Sequence, residues 1–262
     1  MSDAELGVFL MTYEHIILEK MDNFAKITIN RPEKLNACAG KTRKEIITAL
    51  DEVKADKKMR SVIITGAGKA FSAGQDLEEQ GPQAAGSTWS DVYAGIKGFP
   101  LPVITSTPGF TVGAGWQSYL MGDYRLASEN ATFSMPELNV GLPCVTGSAI
   151  LKAMIGLGET TRLILTCEKI SANEAKRLGL VHEIVPPAEL EKATVAAAMK
   201  LAEKPPNAIK LQKEWFMKLI SEDLERARIA AEAAQAKARA SGEPQECMTA
   251  FLEKRKPKLE RT

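Results

Sequence analysis

Two short apolar runs, each closed by a glycine turn, constrain the fold of this chain most. Ser61-Val62-Ile63-Ile64-Thr65 leads into Gly66-Ala67-Gly68, and Pro102-Val103-Ile104-Thr105-Ser106-Thr107 leads into Pro108-Gly109. Each reads as a buried strand feeding a loop. Upstream, Phe24-Ala25-Lys26-Ile27-Thr28-Ile29-Asn30 alternates apolar and polar side chains, the period-two pattern of a strand with one buried face, and Asn30-Arg31-Pro32 stops it. Ile46, Ile47, Leu50 and Val53 recur at helical spacing, which predicts an amphipathic helix over 41–56. Strand, loop and helix thus alternate through the first 140 residues, and an α/β layered core is expected.

After Gly141 the pattern turns helical. Helices are expected over 148–165, 171–179, 188–203, 206–220 and 223–240, with no low-complexity linker that would tether a separate module. Residues 78–90 carry no periodicity and several breakers, so they form a candidate mobile loop. Strand-like pattern begins at Met11, and 1–10 read as a floppy extension. The basic run Lys254-Arg255-Lys256-Pro257-Lys258 reads by composition as a solvated tail.

Composition excludes several classes. Lys and Arg number 34 against 33 Asp and Glu, a formal charge of +1, so no global basic field favours nucleic acid or an anionic membrane. Cys38, Cys144, Cys167 and Cys247 are scattered and accompanied by only His15 and His182, which argues against a zinc site or a disulfide framework. No apolar stretch approaches a membrane span, and Met1-Ser2-Asp3-Ala4-Glu5 carries acid where a secretory signal wants base; a cytoplasmic protein is expected. Gly113-Ala114-Gly115 lacks the third glycine of a dinucleotide fingerprint, because position 118 is serine, and no GxSxG, Walker lysine or HExxH occurs. His15 and His182 fall in expected strands and read as structural.

Chemistry is left with two strand-end segments, Lys69-Ala70-Phe71-Ser72-Ala73-Gly74-Gln75-Asp76-Leu77 and Gly109-Phe110-Thr111-Val112-Gly113-Ala114-Gly115-Trp116-Gln117. In each a strand exits into a glycine turn where a ligand could approach backbone N–H groups. The second turn opens a helix expected from about Ala114 to Met121, whose first amides have no intrahelical acceptor. Two such amides converging would make an oxyanion hole, although glycine turns serve equally as punctuation. A third segment, Phe133-Ser134-Met135-Pro136-Glu137-Leu138-Asn139-Val140-Gly141, sets a carboxylate among apolar neighbours. Burial there would lift its pKa toward neutrality and suit proton transfer, whereas an exposed glutamate would only stabilise a helix start.

Taken together these segments resemble the crotonase, or enoyl-CoA hydratase/isomerase, superfamily, from about residue 12 onward. The resemblance is carried by Asn30-Arg31-Pro32-Glu33-Lys34-Leu35-Asn36-Ala37, Ala70 to Leu77, Gly113-Ala114-Gly115 and Phe133 to Gly141. Ile170-Ser171-Ala172-Asn173-Glu174-Ala175, Leu178-Gly179-Leu180-Val181 and Ala250-Phe251-Leu252-Glu253-Lys254-Arg255 extend it in family order. It implies a spiral of ββα repeats over 12–200 that binds and transforms an acyl-CoA, and a helical region over 201–262 that assembles a homotrimer or a dimer of trimers. No cofactor or metal is implied, since coenzyme A enters as part of the substrate.

By position, the resemblance makes the amides of Gln75 and Ala114 the oxyanion donors, Glu137 the proton-transfer group and Gln117 a polar neighbour of the reacting carbon. Substrate contacts are implied at Lys34, Ala70, Ser72, Ala73, Gly74, Asp76, Gly113 and Trp116, with Phe251 and Lys254 reaching coenzyme A on a neighbouring subunit. The shared intermediate of this chemistry is a thioester enolate. Two departures stand out. Gln117 occupies a position where hydratases of the family carry a second glutamate, and an amide can orient water but cannot take its proton. A single carboxylate, Glu137, suffices for moving a double bond, so isomerisation is favoured over hydration unless Glu137 serves both steps or Glu78 or Glu79 swings in. Cys144 and Val145 replace small residues of a glycine-rich stretch and, with Trp116, should reshape the acyl pocket. Alternatives are a hydrolase, decarboxylase or carbon–carbon lyase on the same scaffold, a non-catalytic acyl-CoA binder and, last, a purely structural subunit.

Overall fold

The computed structural model describes residues 9–76, 78 and 87–259, with backbone alone at 9–12, 251 and 252. Most of the expected 78–90 loop therefore lies outside the described residues. The chain divides into two compact units, Met1–Phe133 with Ile170–Leu219, and Ser134–Lys169 with Ile220–Thr262.

The first unit is built on a seven-stranded sheet in the order β1-β2-β3-β4-β6-β8-β11. Strands β1 (Phe9–Thr12), β2 (Ile16–Lys20) and β3 (Phe24–Ile29) pair antiparallel. From β3 onward, β4 (Ser61–Gly66), β6 (Val103–Thr107), β8 (Tyr124–Ser128) and β11 (Glu183–Val185) run parallel. A four-stranded sheet, β10-β9-β7-β5, joins Ile170–Ser171, Thr132–Ser134, Phe110–Val112 and Ala70–Ser72. The long apolar runs are explained by burial on both faces. Ile63 packs with Phe24, Ile104 and Leu126 against Leu190 and Ala198 of the helix α6 (Leu190–Ala202), and its neighbour Ile64 faces the opposite side. There Ile64 and Ile29 line a cavity of about 10 Å³ with Ile46 of α1 (Gly40–Ala55) and Val92 and Ile96 of α2 (Trp89–Lys97). Adjacent residues of a strand point to opposite faces, so a strand covered on both sides loses its alternation.

Several local expectations are corrected. The strand region starts at Phe9, so the floppy extension cannot reach 10. His15 lies in the turn before β2, where its Nδ1 is 2.7 Å from Thr42 Oγ1, and His182 immediately precedes β11. The last residues of the expected 78–90 loop are not loop, since α2 begins at Trp89. Thr88 caps α2, accepting from the Asp91 amide at 3.2 Å while the Asp91 carboxylate returns to the Thr88 N–H at 2.7 Å. This capping box uses the only carboxylate in the first turn, a signal hidden beneath the preceding glycines. The expected helices 206–220 and 223–240 are one helix, α7 (Pro206–Ser241), because neither glycine nor proline interrupts it.

The remaining helices of the first unit are α3 (Ala114–Leu120) and α5 (Ala172–Arg177). In the second unit, α4 (Val145–Thr166) breaks at Gly156, whose φ is +75°. A 3₁₀ turn over Glu137–Val140 ends at Gly141, whose φ is +73°, and lies under α8 (Glu243–Leu252). A Cβ at Gly141 would stand 2.9 Å from the Pro244 nitrogen, so a glycine is required. The basic end of the chain is largely solvent-exposed, as expected, and is also tied down over its described length. Arg255 pairs with Glu246 at 2.5 Å, and the Lys258 amide donates to the same carboxylate at 2.7 Å.

Candidate active site

The first glycine turn follows β5. Gly74 has φ +88°, which favours glycine, and its carbonyl accepts the Cys38 N–H at 2.8 Å. The Asp76 N–H donates to the Cys38 carbonyl at 3.2 Å, completing a short parallel bridge between Cys38 and Gln75. In a trans peptide the C=O and N–H point to opposite sides. Engaging the Gly74 carbonyl with Cys38 therefore turns the Gln75 N–H away from Cys38. The turn is fastened below by Ser72, whose hydroxyl accepts the Gly74 N–H at 3.0 Å and donates to the Asn36 carbonyl at 2.8 Å.

The second turn has the same logic. Gly113 adopts φ +55° and ψ −128° between β7 and α3. Its carbonyl accepts the Gln117 N–H at 3.0 Å and so points down the helix. The Ala114 N–H of the same peptide unit then projects out of the helix start, where first-turn amides lack intrahelical acceptors. The two turns meet. A Cβ placed on Gly74 would lie 3.3 Å from the Ala114 nitrogen and 2.9 Å from the Val112 carbonyl oxygen. A Cβ on Gly115 would lie 2.5 Å from the Ser72 carbonyl oxygen, so α3 can start this close to β5 only with glycine at that position.

Beside the turns sits a charged cluster. Arg31 Nη1 donates to Asp76 Oδ2 at 2.9 Å and to the Ala37 carbonyl at 2.5 Å. Burial alone would raise the Asp76 pKa, but the Arg31 hydrogen bond, the Glu78 amide and the nearby cations outweigh it and hold it below the ordinary value. Asp76 thus braces the turn through its side chain. Lys34 stands partly exposed, its ammonium 2.5 Å from the Glu78 carboxylate and 3.8 Å from that of Asp76. Ala70 gives its carbonyl to Asn36 Nδ2 at 2.7 Å, and the Ala73 N–H donates to the Leu35 carbonyl at 2.9 Å. Trp116 is fully buried against Phe133, ring centroids 5.5 Å apart, and Gln117 is buried on the same helix. Trp116 is thus a core side chain in this structure, with no exposed surface of its own.

In the second unit, Glu137 opens the 3₁₀ turn and is half-buried, with its Oε2 shielded from solvent. The Cys144 thiol is pushed well above its ordinary pKa by burial, then by the charge of Glu137 and a hydrogen bond to it. A thiol so protonated is no nucleophile. Lys254 is exposed just beyond α8 with φ +53°, and Phe251 lies in the last turn of that helix, where the backbone alone is described.

Two residues central to this geometry carry no role in the sequence reading. Asn36 is fully buried with φ +56°; its Oδ1 accepts the Arg31 N–H at 2.9 Å and its Nδ2 donates to the carbonyls of Ala67 and Ala70 at 2.9 and 2.7 Å. Arg43 is fully buried on α1 and reaches Gln75. Its place on the stripe 43, 46, 50, 53 was the available signal, since that spacing marks the inward face of a helix. Among the described residues no group of three or more His, Cys, Asp or Glu could hold a metal, and no helix is long and apolar enough to cross a membrane.

The family model for enoyl-CoA hydratase/isomerase matches residues 19–262. A short-chain-enoyl-CoA hydratase of Clostridium acetobutylicum is 35% identical over 254 residues, 94% of this chain and 97% of the relative. Among solved structures, an enoyl-CoA hydratase/isomerase from Pseudoalteromonas atlantica T6c superposes with a TM-score of 0.87 at 25% identity, covering 94% of this chain and all of the other. A methylmalonyl-CoA decarboxylase does so with a TM-score of 0.84 at 30% identity, covering 96% of this chain and 100% of that one. The family match spans both glycine turns and the Glu137 segment, and the superpositions cover more than nine-tenths of the chain: it belongs to the enoyl-CoA hydratase/isomerase family of the crotonase superfamily and is an enzyme of that family.

Proposed function

We propose that the protein moves a proton at the α-carbon of a short-chain enoyl-CoA thioester, through an enolate whose oxygen is held by the amides of Gln75 and Ala114. The observation that carries this is the contact of the two turns at Gly74 and Ala114, with each donor peptide oriented by a hydrogen bond to its own carbonyl side. Donors fixed before the reaction stabilise developing charge without reorganising, by ~3–4 kcal/mol for a single donor in comparable sites. The short acyl chain is suggested by the name of the Clostridium relative. Lys34 offers its cation to a coenzyme A phosphate, and the backbone of Ala70 and Ser72 lies near the adenine.

Glu137 supplies the carboxylate that takes and returns the proton. Gln117 can orient a water or the thioester but cannot ionise, so double-bond migration through one base is preferred to hydration. A second outcome, decarboxylation of a carboxylated acyl-CoA to the same enolate, is favoured by Gln117 together with the likeness to a methylmalonyl-CoA decarboxylase, since loss of carbon dioxide needs no second carboxylate. Residues 12–200 carry this chemistry, and 201–262 serve assembly into a trimer or a dimer of trimers in the cytoplasm. Exposed Leu157 and Leu165 on α4, and Leu211, Trp215 and Leu219 on α7, support such an assembly, which light scattering on the purified protein would test.

Incubation with crotonyl-CoA and with a 3-enoyl-CoA in separate reactions, followed by mass spectrometry and ultraviolet absorbance, distinguishes the outcomes. Isobaric conversion of the second to a conjugated thioester is expected. A gain of one water on the first would instead establish hydration. Glu137→Gln should retain acyl-CoA binding while turnover falls about 10²- to 10⁴-fold, the usual scale for a lost acid–base group. Unchanged turnover would remove Glu137 from the mechanism.

A further inference from the structure

Helix α1 presents Ile46, Ala49, Leu50 and Val53 to the core, yet on the same stripe stands Arg43, with none of its surface exposed. A guanidinium is withdrawn from water only at a cost, and the fixed fork of its donors must be engaged by geometry that suits it. Arg43 Nε donates to the Ser87 carbonyl at 2.7 Å. Its Nη1 donates to the Cys38 carbonyl at 3.1 Å and to Gln75 Oε1 at 2.9 Å. The indole N–H of Trp89, first residue of α2, donates to the same Gln75 Oε1 at 2.8 Å, and the Arg43 guanidinium lies over the Trp89 ring, 5.4 Å from its centroid.

Three segments are thereby held at one fork. Arg43 grips both sides of the bridge that orients the Gln75 peptide, because the Cys38 carbonyl it engages is the one that accepts the Asp76 N–H. Gln75 is fixed by backbone on one side and by its side-chain oxygen on the other, with two donors meeting that oxygen.

We propose that Arg43 is a positioning residue for the oxyanion site: through Gln75 and Cys38 it sets the direction of the Gln75 N–H and ties that direction to the start of α2. This rests on the assignment of the Gln75 and Ala114 amides as the donors to the thioester oxygen. Arg43 is assigned no contact with substrate; it acts through Gln75 and Cys38. Lysine cannot replace it, since one ammonium cannot reach Ser87, Cys38 and Gln75 in the planar arrangement of the fork.

The test measures two things on the intact protein: steady-state turnover of the enoyl-CoA, and the infrared frequency of a bound substrate analogue labelled with ¹³C at its thioester carbonyl. In the wild type the carbonyl should shift to lower frequency on binding. Arg43→Met and Arg43→Lys should each lose a substantial part of that shift and lower kcat roughly 10- to 100-fold, with KM within threefold. Gln75→Ala keeps the backbone amide but removes the gripped oxygen, and should reproduce part of the loss; combined with Arg43→Met it should add less than the product of the two effects. Trp89→Phe, which removes the indole donor to Gln75 Oε1 and leaves a smaller aromatic ring on α2, provides a second test should the arginine variants fail to fold: a partial loss of the carbonyl shift is expected, and a full shift with unchanged kcat would overturn the proposal. A full carbonyl shift and unchanged kcat in folded Arg43→Met, or independent losses in the double variant, would overturn the proposal. Absence of any shift in the wild type, or retained turnover in folded Ala114→Pro, would instead refute the oxyanion assignment beneath it.

Discussion

Gly74→Ala tests the central geometric claim, that the two turns touch at one glycine. Two costs are expected. At φ +88° a residue with a Cβ occupies left-handed backbone space, which disfavours it by about 1–2 kcal/mol. The Cβ would also lie 2.9 Å from the Val112 carbonyl oxygen and 3.3 Å from the Ala114 nitrogen, both backbone atoms, so the turns must separate by several tenths of an ångström. Forced overpacking of this kind costs about 1–3 kcal/mol. A destabilisation of about 3 kcal/mol is expected in urea titrations. Because the Ala114 amide is displaced and not deleted, kcat should fall about 10- to 100-fold, less than the 10²- to 10³-fold typical of a removed donor. Gly179→Ala is the matched control. Gly179 has φ +76° with nothing within 4 Å of an added Cβ, so only the conformational cost of about 1–2 kcal/mol applies, with kcat unchanged. If Gly74→Ala matched Gly179→Ala in both stability and kcat, the contact between the turns would not be what positions the site.

Other outcomes follow from the same structure. Gln117→Glu should raise the yield of hydrated product from crotonyl-CoA, measured by mass spectrometry; no gain would mean that pocket shape, and not the missing carboxylate, limits hydration. Asn36→Ala removes one acceptor and two donors from a fully buried site, and with each orphaned group costing about 1–3 kcal/mol the loss should be at least about 3 kcal/mol by chemical denaturation. A loss below about 1 kcal/mol would show that the turn holds itself. His182 is depressed from 6.5 to about 4 by partial withdrawal of its ring from water, then by Arg125 and Lys97. The unfolded chain therefore binds the proton more readily, and stability present above pH 6.5 should be lost progressively as pH falls toward about 4. His182→Gln should flatten the dependence of the urea midpoint on pH across that window, whereas an unchanged slope would assign it to other groups.

The local sequence determined which segments are strands and helices wherever burial leaves a periodic trace. The unalternating runs at 61–65 and 102–107 are strands because both their faces are covered, and the stripe from Ile46 to Val53 is the inward face of α1. It also marked the glycine turns, since positive φ at Gly74 and Gly113 is a property of the local chain. Where a boundary depends on a distant partner the local signal failed: β1 is a strand only because β2 pairs with it, and Thr88 caps α2 behind a glycine-rich stretch that hides it. Tertiary structure alone decided how the turns meet and what braces them. Nothing in the spacing of residues 74 and 114 says that they touch, that Cys38 turns the Gln75 peptide, or that an arginine on an apolar stripe is drawn inside to hold it. Those are contacts between segments about 30 to 40 residues apart, and a hydrogen bond across such a separation exists only once the chain has closed the loop between its ends.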